Sequence, residues 1–300
     1  MPIIRRGKMV WVFGAMLVAA AAANLAAAES IVLKHHQGTG DKAVYDFGLS
    51  ARAKVEESGG SGTVQAEMTL QMKCLAEFLE VLPNGDQKLR GQIVSGTLTA
   101  KVEGEAKTLA LKDVVVNYEL SPQGEMKLRE LVGGDPPFLA FPGVRFGLLA
   151  DDAFLLGGKA LFPDRPVSEG EKWSGTAKKP HPVSGEIQEE QYESRVLGTE
   201  QFRGRKCLKI RTTSTFPLEG SAPVPGTEVV TQVKGTISGH DIWLFDPERG
   251  LIMSVEGSHR LVITARVEMG AEVAGIATTS AVINIRSVLT EFNGEKIAER

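Results

Sequence analysis

Two cysteines in 300 residues are too few for a disulfide scaffold. Aromatic residues make up only 6% of the chain, so aliphatic side chains must furnish most of any core. No basic excess exists either: 34 Lys and Arg stand against 37 Asp and Glu, a formal net charge of −3. That removes the cationic stripe with which a nucleic-acid binder displaces counterions. The motifs that announce common chemistries are missing as well. No serine has glycines two positions to either side, and there is no His-Glu-x-x-His, Cys-x-x-Cys, EF-hand loop or phosphate-cradling glycine run. A site assembled in space from distant residues survives these absences, so a hydrolase of that kind stays among the alternatives.

The first 28 residues carry the plainest signal in the chain. Arg5, Arg6 and Lys8 make a cationic start, Met9 to Ala23 is an almost uninterrupted apolar run, and Ala26, Ala27 and Ala28 set small residues before Glu29. This is the build of a secretory signal peptide cut between Ala28 and Glu29, and it predicts a secreted or periplasmic protein. The competing reading is an uncleaved anchor. Met9 to Ala28 just reaches the roughly 20 apolar residues of a spanning helix. It is mostly alanine, however, contains Asn24 and has no basic residue on its far side. Arg5-Arg6 is a poor twin-arginine signal, because Gly7 and Lys8 follow it. The first cysteine is Cys74, so no thiol stands at the mature N-terminus for lipid attachment. Losing the leader removes three basic and no acidic residues and takes the net charge from −3 to −6, a mild acidity that serves solubility.

Beyond the leader the dominant pattern is period two. Ala43, Tyr45, Phe47, Leu49, Ala51, Ala53 and Val55 alternate with Asp46, Ser50, Arg52 and Lys54. Val64, Ala66, Met68, Leu70, Met72, Cys74, Ala76 and Phe78 repeat the pattern on even positions. Val255, Leu261, Ile263, Ala265, Val267 and Met269 do so near the C-terminus. Such segments have one wet and one dry face and belong to antiparallel sheet. The spacing predicts strands over Ala43–Val55, Val64–Leu82 and Leu251–Met269. Thirteen residues at about 3.3 Å give roughly 43 Å of strand, long enough to demand strong twist or a bulge. The apolar phase slips between Phe78 and Leu79, which locates one.

Gly59-Gly60-Ser61-Gly62, Pro83-Asn84-Gly85-Asp86, Ser121-Pro122-Gln123-Gly124 and Asp246-Pro247-Glu248-Arg249-Gly250 supply turn chemistry between alternating segments. The expected fold is mainly β: long, curved antiparallel meander sheets in a half-barrel, clam or sandwich. From Gly133 to Pro163 the alternation stops and prolines intervene, with a short helix plausible within Val144–Leu156. The expected organisation is therefore a leader (1–28), an N-terminal β half (29–132), a connection (133–163) and a C-terminal β half (164–300). Gly40-Asp41-Lys42 and Gly170-Glu171-Lys172-Trp173 each lead into a strand, a faint echo between the halves.

The stretch Leu161–Trp173, LFPDRPVSEGEKW, carries Pro163, Pro166, Val167, Gly170, Glu171 and Trp173 in a Leu-x-Pro-x-x-Pro-Val-x-x-Gly-[Asp/Glu]-x-Trp order. It resembles a recurring segment of bacterial secreted β-rich proteins of unassigned function. The resemblance covers 13 residues and implies a fold type, no activity. Physically, two prolines stiffen the approach, Gly170 turns the chain, and Trp173 anchors the next strand.

Five histidines are candidates for ligands or bases. His35-His36 are neighbours that point to opposite faces of an extended chain; His181 lies in a proline-flanked loop, and His240 and His259 stand beside small polar residues. His259 shares a phase with Val255 and Leu261 on the dry face, where a hydrogen-bonded core histidine is the favoured reading over catalysis. Asp151-Asp152 and Glu189-Glu190 read as exposed charge. Cys74 falls on a buried face; Cys207 alternates with Lys209 and Arg211, as if on the wet one, which argues against a Cys74–Cys207 bridge. No cofactor or metal is expected.

The leading expectation is an exported non-catalytic protein that binds or shields something apolar, with lipid or another envelope protein as partner. The half-barrel lipoprotein carriers of bacterial envelopes offer an analogy of fold only. Tyr45, Phe47, Met68, Leu70 and Met72 are the candidate lining, with methionines suited to irregular ligands. The alternatives are a ligand-free scaffold or interaction module, and a hydrolase built around His259.

Overall fold

In the computed structural model, residues 30–58, 62–132, 162–180, 187–223, 229–269 and 272–297 are described. The leader, the Ala28–Glu29 junction, the segment Val144–Leu156, Asp151-Asp152 and His181 lie outside them. Among the described residues there are thirteen strands and no helix. These are β1 (Lys42–Glu57), β2 (Thr63–Val81), β3 (Gln87–Val102), β4 (Glu105–Leu111), β5 (Val114–Leu120), β6 (Met126–Val132) and β7 (Lys172–Pro180). They continue as β8 (Ile187–Phe202), β9 (Arg205–Pro223), β10 (Val229–Asp246), β11 (Leu251–Met269), β12 (Glu272–Phe292) and β13 (Glu295–Lys296).

All of them join one open antiparallel sheet in the order β6-β5-β3-β2-β1-β12-β11-β10-β9-β8-β7, with β4 on β3 and β13 on β12. The chain therefore lays down two meanders, β6 to β1 and β7 to β12, that meet edge to edge where Leu49 faces Ile285 and Ala53 faces Ala281. The three long strands expected from the alternation are β1, β2 and β11, and each matches its range to within a residue or two. The expected bulge is also there: the β2–β3 register passes from Phe78 to Glu80 and skips Leu79. Gly40 and Gly170, with φ of 91° and 83°, make the left-handed step into β1 and β7.

One end of the sheet is tied shut by residues 31–37. Ile31 and Val167 exchange backbone hydrogen bonds of 2.8 and 2.9 Å, and His35 N–H donates to Pro122 O at 2.7 Å. Gln37 Nε2 donates to Arg249 O and Gly250 O at 2.9 and 2.8 Å, while Phe162 N–H donates to Gln123 O at 2.8 Å. The β5–β6 turn, the β10–β11 turn and the approach to β7 thus share one strap, although β6 and β7 stand at opposite ends of the strand order. Only a strongly curled sheet permits this. Leu33 of the strap is buried together with Phe162 and Val167, and the rings of Phe162 and Phe245 meet at 4.8 Å. The Leu161–Trp173 segment earns its prolines here: Val167 bridges to Ile31, and the Glu171 carboxylate receives Ser168 N–H and pairs with Arg165.

Two expectations need correction. Cys207 is fully buried although its neighbours Lys209 and Arg211 are not. At this end the outward face is covered as well, with Leu244, Ser254 and Val288 buried, and the β8–β9 turn reaches β12, Arg203 Nη1 donating to Leu289 O at 2.7 Å. Both thiols are free, and burial pushes each up to about 12. Glu190 is also buried rather than exposed, because it follows the inward phase of Tyr192 and Ser194 on β8.

Candidate functional site

The dry face of the sheet changes character halfway along the strands. On β1, Ala43, Tyr45, Phe47 and Leu49 are buried, but Ala51, Ala53 and Val55 on the same face are only half-buried. β2 mirrors it, from Phe78 through Leu70 sealed and then Met68, Ala66 and Val64 half-open. On β11 the inward residues after His259, namely Leu261, Ile263, Ala265 and Val267, are half-buried too. Composition stays apolar while the cover is lost. The strapped end is a solid core; along β1, β2 and β11 the other half is a half-open apolar trough, while Ala281, Phe216, Leu218 and Val233 stay buried there.

Cross-strand register shows its floor. One row runs Ala53, Ala281, Leu261, Ile237, Phe216 across β1, β12, β11, β10 and β9. The next runs Ala51, Ile283, His259, Gly239, Ser214, and the third Leu49, Ile285, Gly257, Asp241, Thr212. Aliphatic residues thus give way to polar ones towards β9. Ser194 on β8 continues the third row, its hydroxyl 2.8 Å from that of Thr212.

At the junction His259 Nε2 lies 2.9 Å from Asp241 Oδ1, both side chains at 3% exposure. Two glycines make the pair possible. His259 lies over Gly239 and Asp241 over Gly257, and a methyl at either glycine would collide with the opposing side chain. With Nε2 turned to the carboxylate, Nδ1 lies against Gly239. Among the described residues neither His259 Nδ1 nor Asp241 Oδ2 has a hydrogen-bond partner, and Trp243 Nε1, Ser287 Oγ and Tyr45 Oη on the same face share that condition.

The expected core histidine is present, and its partner Asp241 is the residue that sequence reasoning missed. Its signal was there: Asp241 keeps the phase of Val233, Ile237 and Trp243. Among the described residues no hydroxyl or thiol is hydrogen-bonded to His259. Of the candidate lining, Tyr45, Phe47, Leu70 and Met72 belong to the solid core, and only Met68 reaches the half-open region. Burial raises the Tyr45 phenol well above its ordinary range. His35 belongs to the strap, where burial lowers its imidazole to about 4 against the opposing Gly250 carbonyl hydrogen bond. No group of three or more metal-ligating side chains occurs among the described residues. A cleft of about 680 Å³ lies on the opposite, polar face beside Asp46, Lys73, Arg203 and Arg286; it does not open onto the trough's apolar rows.

No family model matches the chain, and no curated protein matches it. Among solved structures, lipovitellin, studied for its lipid–protein interactions, is similar over 88% of this chain at 11% identity and a TM-score of 0.47. The chain spans about a quarter of that protein's length, 26%. A DUF1329 family protein from Desulfovibrio piger matches over 89% of this chain and 88% of its own, at 11% identity and a TM-score of 0.17. Neither likeness enters the functional argument, which rests on the trough. Among the described residues no helix is long and apolar enough to cross a membrane.

Proposed function

We propose that this is an exported carrier that shields a long apolar chain, such as the acyl chain of a lipid, in the open half of its curled sheet. The observation that supports it best is the loss of cover at Ala51 and Met68 on a face whose apolar composition does not change. Half-open aliphatic residues such as Ala53, Leu261 and Ile237, set beside buried Ala281 and Phe216, are what ligand grooves are made of, and isolated monomers rarely leave them unused. The reach is adequate. From His259 to Val267 the trough extends about 26 Å at strand rise, more than the roughly 15 Å of one bilayer leaflet's hydrocarbon. The leader supports action outside the cytoplasm.

Native mass spectrometry and lipid extraction of protein exported with its own leader test the reading. The expected result is a folded protein with a co-purified lipid that Ile263→Glu expels. Folded wild-type protein that carries no lipid and takes none from vesicles would overturn it.

A further inference from the structure

The apolar rows explain how a tail is held; they leave unexplained why a histidine and a carboxylate are sealed in the same floor. Two buried ionisable groups and two clearing glycines are a costly arrangement for a mere core. The bond between Nε2 and Oδ1 satisfies one atom of each side chain and leaves Oδ2 and Nδ1 unpartnered among the described residues. Oδ2 is an acceptor. Such atoms are usually satisfied, and a buried one without a partner asks for an explanation.

The surroundings give one. Asp241 and His259 occupy adjacent rows, with Ile283, Ile285 and Leu261 on one side and the Ser194–Thr212 hydroxyl pair on the other. The polar floor therefore sits where the solid core ends and the half-open rows begin. An amphipathic guest whose tail follows Leu261, Ile263 and Ala265 towards the open end would set its head against Asp241 and His259.

We infer that Asp241 and His259 form a head-group subsite, selective for an apolar chain ending in a hydrogen-bond donor, above all a protonated primary amine. Asp241 Oδ2 accepts an N–H of the guest, while His259, whose Nδ1 lies against Gly239, positions the carboxylate through Nε2. A head group with no N–H or O–H leaves Oδ2 stranded. This inference rests on the carrier reading and deepens it.

The test uses vesicles of equal phosphatidylethanolamine and phosphatidylcholine with matched oleoyl chains, incubated with delipidated full-length mature protein. Recovered lipid is quantified by mass spectrometry. The wild type should enrich phosphatidylethanolamine roughly tenfold, the worth of one charge-assisted hydrogen bond. Asp241→Asn and His259→Gln should bring the ratio back near one while still binding lipid, with circular dichroism confirming the fold. If either variant unfolds, Thr212→Val, which leaves Asp241 and His259 in place, serves as a folded control, and competition by oleylamine against methyl oleate on the wild type decides. Equal recovery of both lipids, or no preference for the amine, overturns the subsite and leaves the carrier standing. No lipid of either kind overturns both.

Discussion

Leu49 on β1 and Leu70 on β2 stand directly opposite each other at 4% and 0% exposure, while the next pair on the same face, Ala51 with Met68, is already half-open. A distance of two residues separates solid core from trough. Substitutions on either side of this line should behave differently. Leu70→Glu buries an unpaired charge and should cost more than about 4 kcal/mol, enough to abolish the cooperative thermal transition. Met68→Glu lets its carboxylate reach water, and should keep the fold while losing bound lipid. Circular dichroism beside lipid analysis reads both. Equal loss of fold in the two variants would erase the boundary.

His35 makes the strapped end acid-sensitive. Its imidazole is held near 4 when folded, against about 6.5 when unfolded, so the unfolded chain binds the extra proton between those values. The stabilisation is fully present above about pH 6.5 and is lost as pH falls towards 4. Given partial exposure, it amounts to something on the order of 2 kcal/mol. Thermal melts at pH 7 and pH 4.5 should differ by more for the wild type than for His35→Gln. An identical difference would sink the assignment.

Both thiols should be silent in the native state. Cys74 and Cys207 are buried, free and pushed up to about 12, and the thiolate is the reactive form. Iodoacetamide at pH 8 should add no mass to folded protein and two carbamidomethyl groups after denaturation. Reductant should leave the melting temperature unchanged. Labelling of one site in native protein would show that its cover opens.

Asp246 holds the β10–β11 turn from inside. It is 1% exposed; Oδ1 accepts the N–H groups of Glu248 and Arg249 at 3.0 and 3.2 Å, and Oδ2 accepts Arg205 Nε at 2.8 Å. Asp246→Ala strands three donors and should cost about 2–4 kcal/mol in urea titrations. Asp246→Asn should recover a part of it by keeping the turn bonds. No difference between the two would mean that the turn is held by other contacts.

Period two made β1, β2 and β11 legible because a one-residue slip would expose a whole apolar set. What that pattern cannot encode is cover. Leu49 and Ala53 have the same phase and the same kind of neighbours, yet one is sealed and the other half-open. Cover depends on the strap at Ile31–Gln37, whose partners lie up to 215 residues away, as with His35 and Gly250. Cys207 was misplaced for the same reason, its face being covered by a turn that reaches β12. Pro217 stands inside β9, beyond Thr215, the last residue of that strand paired with β8.

The glycines under the histidine–aspartate pair offer the sharpest check on the trough's floor. Gly239 faces His259 and Gly257 faces Asp241 across the same two strands. A methyl at Gly257 would strike Asp241 and also come within 3.1 Å of His259 Nε2. Gly257→Ala should therefore cost about 1–3 kcal/mol by overpacking and break the bond between the two side chains. Truncating Asp241 to Ala removes the obstacle, so the double variant should be less unstable than the sum of the single ones by about 1 kcal/mol or more. The cost at Gly239 should depend less on Asp241, because there the methyl meets the His259 backbone and Ser258 O as well as the ring. Urea titrations of the four proteins in the Gly257–Asp241 cycle give the coupling. Strict additivity would mean that Gly257 is small for a reason other than this pair.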